Sequence, residues 1–268
     1  MFNLYVKLLC SFIFNKEKRK KVRNFLLNNE PLEMQHPIIN LDLEKERYLM
    51  EARHYNQNAF SEYRNLFNGK DVAVIGAGPS LNKYKTIEGV INIGTNKVHQ
   101  NKNIKLDFLF RQDFKNFDEE IFDCDVKKFI GNYYDWKLDM CPQSVFNKLT
   151  NAQKFMIDNY SDNIPVDIDH FPLWHGGSVI YSAMQFALWT NPKRIYLVGC
   201  DSAGQVDSLH WNHFDDSNAD SHNIVPIEAL VENWKKIALF AKTMYPDTEI
   251  ISINPVGLKG LFNDIYQK

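Results

Sequence analysis

A repeating alternation of strand-like and helix-like segments begins at residue 71. Asp71–Ile75 is a short β-branched run that follows an Asn-Gly turn, and it predicts a buried strand. Similar runs predict further strands at 90–94, 106–110, 127–131 and 194–199. Longer periodic segments predict helices over 179–189 and 226–244. Such alternation is typical of an α/β fold, and we expect a Rossmann-like, mostly parallel sheet with flanking helices.

The first 27 residues have a different pattern. An apolar stretch over residues 1–14 is followed by a basic cluster, and residues 1–27 hold seven basic side chains and one acidic side chain. A signal peptide has the opposite order, and no apolar run reaches the roughly 20 residues that a spanning helix needs. We therefore expect a basic amphipathic segment at a membrane surface. A first helix packed on the body of the protein is the alternative. The pattern over residues 28–68 predicts a linker and a helix. Residues 69–268 are expected to form the main domain.

Composition sets broad limits on the function. Apolar residues make up 44% of the chain, enough to bury a full core, and the net charge of −2 gives no reason to expect a nucleic-acid partner. The four cysteines are scattered without a CxxC pair, which fits a reducing cytoplasm. We expect a cytoplasmic protein, peripheral at the inner face of the cytoplasmic membrane. A homo-oligomer is compatible with the sequence.

Two glycine pairs suggest a ligand site. Gly76-Ala77-Gly78-Pro79-Ser80-Leu81 directly follows the first predicted strand, where glycines let the backbone approach a phosphate or ribose closely. A plain tight turn is the alternative, because the third glycine of the dinucleotide fingerprint is absent. Gly176-Gly177 precedes Ser178 at the start of the 179–189 helix, whose N–H groups favour an anion. His175 is a further candidate for contact with a pyrophosphate or a carboxylate.

Polar residues follow other predicted strands. Asn96 comes after the second strand, and Asp201 comes after the 194–199 strand. The carboxyl end of a strand is a favoured position for a catalytic or ribose-binding residue. The aromatic, irregular region 131–170 predicts an insertion or lid over this site.

Three histidines lie close together in the sequence near residue 216. His210, His213 and His222 stand among several aspartates. One histidine could be a general base, since an unperturbed histidine pKa of about 6.5 suits that role. The cluster could instead bind a divalent metal, or form a polar surface loop. No compact metal motif such as HExxH is present, so the base is favoured and no metal site is assigned.

As a set, these motifs resemble a known family. GAGPSL after a strand, Asn96, Gly-Gly-Ser at a helix start and Ile195–Asp201 resemble the bacterial sialyltransferases that decorate lipooligosaccharide from a CMP-sugar donor. They are similar also to the related domain of flagellin motility accessory proteins and of archaeal hydroxymethylpterin diphosphokinases. The resemblance covers roughly residues 71–262, and 250–255 resembles the family's last strand and its proline-containing loop.

The resemblance implies roles for individual residues. It implies nucleotide contacts by the loop residues Gly76, Ala77, Gly78, Pro79 and Ser80, and by Asn96 and Ser178, with Ala77 standing where the family has asparagine. Gly177 is expected to contact the nucleotide because it lies at the start of the 179–189 helix. Asp201 matches the aspartate of a Gly-Ile-Asp motif, and Ser221-His222-Asn223 matches the segment that holds the catalytic histidine. The expected catalytic residues are therefore His222 and Asp201. The tyrosines that help the leaving phosphate in that family have no clear match after Asp201, and Trp211 or His210 is expected to take their place.

The function implied by the resemblance is transfer of sialic acid or a Kdo-like sugar from a CMP donor to a cell-envelope glycan such as lipopolysaccharide or capsule. The expected partners are the CMP-sugar, a glycan or glycolipid acceptor and the membrane surface, with no resident cofactor. A Mg²⁺-dependent pyrophosphokinase of the hydroxymethylpterin diphosphokinase type, using ATP, is the alternative. A non-catalytic nucleotide-binding or assembly module is the third candidate.

Overall fold

The computed structural model describes residues 37–112, 119–133, 141–158, 161–202, 214 and 226–267, with side chains described from residue 45 onward. The chain divides into two compact units, Met1–Arg47 and Tyr48–Lys268. The described residues of the first unit belong to helix α1 (Pro37–Phe60), which extends into the second unit. Residues 1–27, the predicted membrane-surface segment, lie outside the described residues, so that prediction stays open.

The second unit is built on a parallel sheet, with nine strands over the part of the chain that the structure describes. The strands are β1 (Asp71–Ile75), β2 (Ile91–Thr95), β3 (Phe108–Arg111), β4 (Lys127–Tyr133), β5 (Ala152–Asp158), β6 (Leu173–Trp174), β7 (Arg194–Val198), β8 (Glu249–Ile253) and β9 (Asn263–Ile265). Their order is β6-β5-β4-β3-β2-β1-β7-β8-β9, and neighbouring strands are parallel throughout. The predicted α/β fold is confirmed.

The strand order reverses between β1 and β7. From β1 the chain builds outward through β2 to β6, returns to β7 beside β1, and then builds outward on the other side. The loops after β1 and β7 therefore lead to opposite sides of the sheet. In open α/β sheets, this topological switch point leaves a crevice at the carboxyl ends of the strands, where ligands bind.

Helices cover the sheet. Those after α1 are α2 (Glu120–Asp123), α3 (Gln143–Phe146), α4 (Val179–Trp189) and α5 (Ile227–Met244), with 3₁₀ helices at Ser61–Tyr63, Pro79–Lys83 and Asn96–Gln100. Every residue of α4 is buried, because the helix is apolar nearly all round and packs against β1, β2 and β3. Since α4 connects two parallel strands, its N-terminus lies at the carboxyl edge of the sheet.

Aromatic packing forms much of the core on one face of the sheet. Phe60 of α1 lies within 5.7 Å, ring centre to ring centre, of Phe129, Phe155 and Phe186, which come from β4, β5 and α4. Burying such rings dominates core energetics. Helix α5 covers the sheet with a single apolar stripe, because Trp234, Ile237 and Ala241 are buried at helical spacing.

The region 131–170 contributes to the sheet. It contains the end of β4 and all of β5, which pairs with β4 and β6. Residues 134–140 and 159–160 lie outside the described residues, so the predicted lid stays a prediction, as do the predicted domain boundaries. No helix within the described ranges is both long enough and apolar enough to span a membrane.

Candidate functional site

The two loops at the switch point are joined through their backbones. Gly76 N–H donates to Val198 O at 2.8 Å, and Gly78 N–H donates to Gly199 O at 2.9 Å. A Cβ atom added at Gly76 would lie 2.5 Å from Gly199 O, closer than real Cβ atoms approach. The glycines after β1 are therefore required by the close approach of the loop after β7, whatever ligand they contact.

Asp201 anchors this junction. Its carboxylate is buried and accepts hydrogen bonds from the Ser80 amide, at 2.8 Å, and from the Ser80 hydroxyl. A Cβ atom at Gly78 would lie 2.6 Å from Asp201 Oδ2, so this glycine makes room for the carboxylate. Burial raises the pKa of Asp201, and the two hydrogen bonds from Ser80 oppose that shift. Three predicted site residues, Gly78, Ser80 and Asp201, thus meet here, and Asp201 stabilises the first turn of the 3₁₀ helix Pro79–Lys83.

Asn96 lies at the next strand end. It follows β2 with a left-handed backbone, φ 48°, a conformation that asparagine tolerates better than most residues. Its Oδ1 atom is buried and has no hydrogen-bond partner among the described residues. The neighbouring Thr95 hydroxyl donates to Ile75 O at 3.0 Å, which ties the ends of β2 and β1 together. A ligand donor at this edge would satisfy the Asn96 carbonyl.

The His-Gly-Gly-Ser loop follows β6 and leads into α4. Gly176 and Gly177 both have left-handed backbones, φ 57° and 84°, which explains the glycine pair. Gly177 N–H donates to His175 Nδ1 at 3.2 Å, and Ser178 N–H donates to His175 O at 3.2 Å. Ser178 caps α4, since its side chain accepts from Ile180 N–H. Two of the N–H groups predicted for a ligand are therefore engaged within the loop.

His175 contacts a tyrosine that sequence reasoning did not assign to the site. Tyr133 Oη lies 2.7 Å from His175 Nε2, and the two rings meet edge to face. Burial lowers the pKa of His175 from 6.5 to about 4. The imidazole is therefore neutral near pH 7.

Helix α5 holds the loop after β6 and the loop after β7 through two consecutive residues. Asn233 Nδ2 donates to Gly176 O at 2.7 Å, and Trp234 Nε1 donates to Ser202 Oγ at 2.9 Å. These bonds bring the His175 loop and the Asp201 loop to the same edge of the sheet. Neither Asn233 nor Trp234 is distinguished in the sequence, because both fit an ordinary amphipathic helix.

The histidine cluster lies mostly outside the described residues. His210, His213 and His222 all fall there, so their predicted roles stay predictions. One residue of the segment is described: Phe214 donates from N–H to Ala77 O at 2.9 Å and accepts from Asn82 Nδ2 at 2.8 Å. Phe214 itself therefore lies beside the loop after β1. Within the described ranges, no group of three metal-ligating side chains could hold a metal ion.

Comparisons with known proteins add little about function. No family model and no curated protein matches the chain. Among solved structures, it is similar to the MAf glycosyltransferase from Magnetospirillum magneticum AMB-1, with 13% sequence identity and a TM-score of 0.44. The match covers 82% of this chain and 38% of the other, so the chain spans well under half of that protein. A likeness of this size supports no conclusion about activity.

Proposed function

We propose that this chain is a glycosyltransferase that moves sialic acid or a Kdo-like sugar from a CMP-activated donor to a cell-envelope glycan. The observation that carries the proposal is the junction at the switch point. Gly78 and Ser80, which the resemblance assigns to the donor, pack against and bond to Asp201, which it assigns to catalysis. Asn96, also assigned to the donor, lies at a neighbouring strand end, and its amide oxygen has no hydrogen-bond partner within the described part of the chain.

In the proposed reaction, His222 takes the proton of an acceptor hydroxyl as the hydroxyl oxygen attacks the anomeric carbon. The bond between the anomeric carbon and the phosphate oxygen breaks, and its electron pair leaves with CMP. One base suffices for this inverting displacement, because CMP is already a good leaving group. Asp201 holds the donor loop through Ser80, and His210 is the alternative base.

The acceptor is proposed to be a glycan or glycolipid at the inner face of the cytoplasmic membrane. The basic and apolar residues of 1–27 would keep the enzyme near that surface, since each basic side chain near an anionic leaflet contributes about 1 kcal/mol. Lipopolysaccharide or capsule precursors are the acceptors of this kind. A soluble pterin substrate would need no such segment, which favours the glycosyltransferase over the pyrophosphokinase.

A donor panel tests the proposal. Hydrolysis and transfer are measured with CMP-, UDP- and GDP-sugars, and AMP formation is measured with ATP and a pterin, each with and without EDTA. We expect turnover with a CMP-sugar that survives EDTA. ATP-dependent turnover abolished by EDTA would instead establish the pyrophosphokinase, and nucleotide binding without turnover would indicate a binding module.

Variants in the histidine cluster then test the base. His222→Ala should lower kcat by about 10²–10⁴-fold with little change in donor affinity, because a general base acts in the transition state. His210→Ala and His213→Ala serve as matched controls. If one of the controls abolishes turnover while His222→Ala retains it, the assignment moves to that residue. Loss in all three, with a requirement for added divalent metal, would make the cluster a metal site.

A further inference from the structure

The loop after β1 uses most of its own amide groups within the protein. Glycine-rich loops usually attract a phosphate through their backbone N–H groups. In residues 76–81, four amides instead donate to the loop after β7 or within the loop itself: those of Gly76, Gly78, Ser80 and Leu81. Pro79 has no N–H, so Ala77 alone in this described loop has an amide left for a ligand. A phosphate at this edge therefore needs a cationic side chain.

Asp201 adds a second reason for a cation. Its buried carboxylate lies against the same loop, where it accepts from the Ser80 amide at 2.8 Å. A phosphate bound beside this carboxylate would be repelled, because like charges oppose each other most strongly where water is excluded. A positive side chain close to both groups would remove that repulsion.

Lys83 has the required position. In a 3₁₀ helix, side chains three residues apart lie one above the other, and Ser80 and Lys83 form such a pair in the 3₁₀ helix Pro79–Lys83. Ser80 donates to Asp201 from this face of the helix, so Lys83 projects from the face that meets the carboxylate. Burial raises the pKa of Asp201, and the positive charge of Lys83 is one of the influences that oppose the shift.

The backbone around Lys83 is held in place, whereas its side chain is available. Asn82 Nδ2 donates to Phe214 O at 2.8 Å. The Lys85 backbone exchanges two hydrogen bonds with the Gln267 side chain, at 2.7 and 2.9 Å. The Lys83 side chain between these anchors is exposed, and it forms no hydrogen bond or ion pair with any residue that the structure describes.

We infer that Lys83 is a phosphate-binding residue, whose ammonium group contacts the phosphate of a nucleotide held at the switch point. A lysine ammonium is a compact point charge with three donors, which suits a phosphate without requiring one fixed geometry. The same charge offsets that of Asp201, so the phosphate and the carboxylate can lie side by side. The inference deepens the proposed function, on which the identity of the nucleotide as CMP rests. The contact itself requires only a phosphate group.

Titration calorimetry on the full chain tests the contact with two pairs of probes, CMP with cytidine and AMP with adenosine. The members of each pair differ only in the phosphate, so the difference between their affinities reports on the phosphate contact. Lys83→Met removes the charge and keeps much of the side-chain length, and Lys83→Arg keeps the charge. Lys85→Met is the matched control, because it removes the same charge from an exposed position two residues later.

We expect Lys83→Met to weaken CMP binding by about 10-fold, the effect of one lost charge-assisted contact, and to bind cytidine as the wild type does. Lys83→Arg should keep most of the affinity for CMP. Added KCl should weaken CMP binding less in Lys83→Met than in the wild type, since one charge pair fewer is screened. Lys85→Met should bind both probes normally, and all variants should unfold at the wild-type temperature because these side chains are exposed.

Three results would overturn the inference: unchanged CMP binding by Lys83→Met, an equal loss for CMP and cytidine, or an equal loss in Lys85→Met. The second would mean that Lys83 supports the loop, and the third that only the overall charge matters. Binding of AMP but not of CMP would reject the proposed function, and the same comparison would then test Lys83 with AMP and adenosine. If the wild type binds neither nucleotide, both proposals fail.

Discussion

The close packing of the two switch-point loops predicts that Gly78→Ala destabilises the protein. Gly78 has an ordinary extended backbone, φ −69° and ψ 159°, which alanine adopts easily. By itself, the loss of chain freedom in the unfolded state would stabilise the variant by about 0.4–1 kcal/mol. The new Cβ atom, however, would lie 2.6 Å from Asp201 Oδ2 and 2.7 Å from Gly199 O, both below the 3.0 Å that real Cβ atoms respect.

The magnitude follows from what must move. Overpacking of this kind costs about 1–3 kcal/mol. Displacing the Asp201 carboxylate would also weaken its hydrogen bonds from Ser80, and a bond to a charged group contributes about 1.5–3 kcal/mol. After subtraction of the favourable unfolded-state effect, we expect the free energy of unfolding to fall by about 2–4 kcal/mol.

Equilibrium urea unfolding measures this change, with Gly89→Ala as the control. A Cβ atom at Gly89 would meet nothing within 4 Å. Gly89→Ala should therefore lower the free energy of unfolding only through its left-handed backbone, by about 1–2 kcal/mol. Combining Gly78→Ala with Asp201→Ala should cost less than the sum of the two single changes, since the second change removes one of the clashing atoms. Wild-type stability of Gly78→Ala, or strict additivity of the pair, would refute the packing argument. Gly78→Val would clash with the same atoms. A loss of ligand binding in that variant would therefore reflect the disturbed packing of the two loops rather than a lost ligand contact.

Three further predictions concern other parts of the molecule. Lys128→Met should lower the free energy of unfolding by about 3–5 kcal/mol in urea titrations, because the buried Lys128 ammonium donates to three backbone carbonyls. Lys127→Met, on the adjacent and partly exposed position, should change it by less than about 0.5 kcal/mol, and equal losses would contradict this explanation. The folded pKa of His175 lies below its usual value, so the unfolded chain binds more protons between pH 6.5 and about 4, and stability is lost as pH falls through that range. When the pH is lowered from 7 to 4.5, the free energy of unfolding should therefore fall by about 2–3 kcal/mol less in His175→Gln than in the wild type. Identical losses in the two proteins would show that His175 titrates normally. Deleting residues 1–27 should reduce cosedimentation with anionic vesicles while the remaining chain stays folded, and unchanged cosedimentation would contradict the membrane-surface hypothesis.

The strands that could be predicted are those whose own residues specify burial on both faces. β1 and β7 are β-branched or apolar runs bounded by turn residues, and the structure has them at the expected positions. β5 was missed because Ala152–Asp158 mixes polar and apolar residues, and its first three residues are only partly buried. Its extended conformation depends on six paired positions along β4, information that is not local to the segment. β6, with two residues, is too short to show any period.

For the candidate site, the positions of the residues were predictable from the sequence, but their contacts were not. Residues directly after strands could be placed at the carboxyl edge from the parallel topology alone, and Gly78, Ser80 and Asp201 do meet there. The reason for the glycines was not predictable. A glycine pair after a strand suggests room for a ligand, whereas Gly76 and Gly78 first make room for the backbone of Gly199 and the side chain of Asp201.

Contacts between distant segments explain the residues that sequence reasoning missed. Nothing local distinguishes Tyr133 from the other aromatic residues of its region, and its position becomes informative only when β4 and β6 are placed on either side of β5. The same holds for Asn233 and Trp234, since an amphipathic pattern shows that α5 covers the sheet but not which loops it bonds. Because these two consecutive residues bond to the His175 loop and the Asp201 loop, a displacement of α5 would move both loops together. The geometry of the candidate site is therefore coupled to the packing of α5, whose buried Trp234 contributes to the core and to this connection at once.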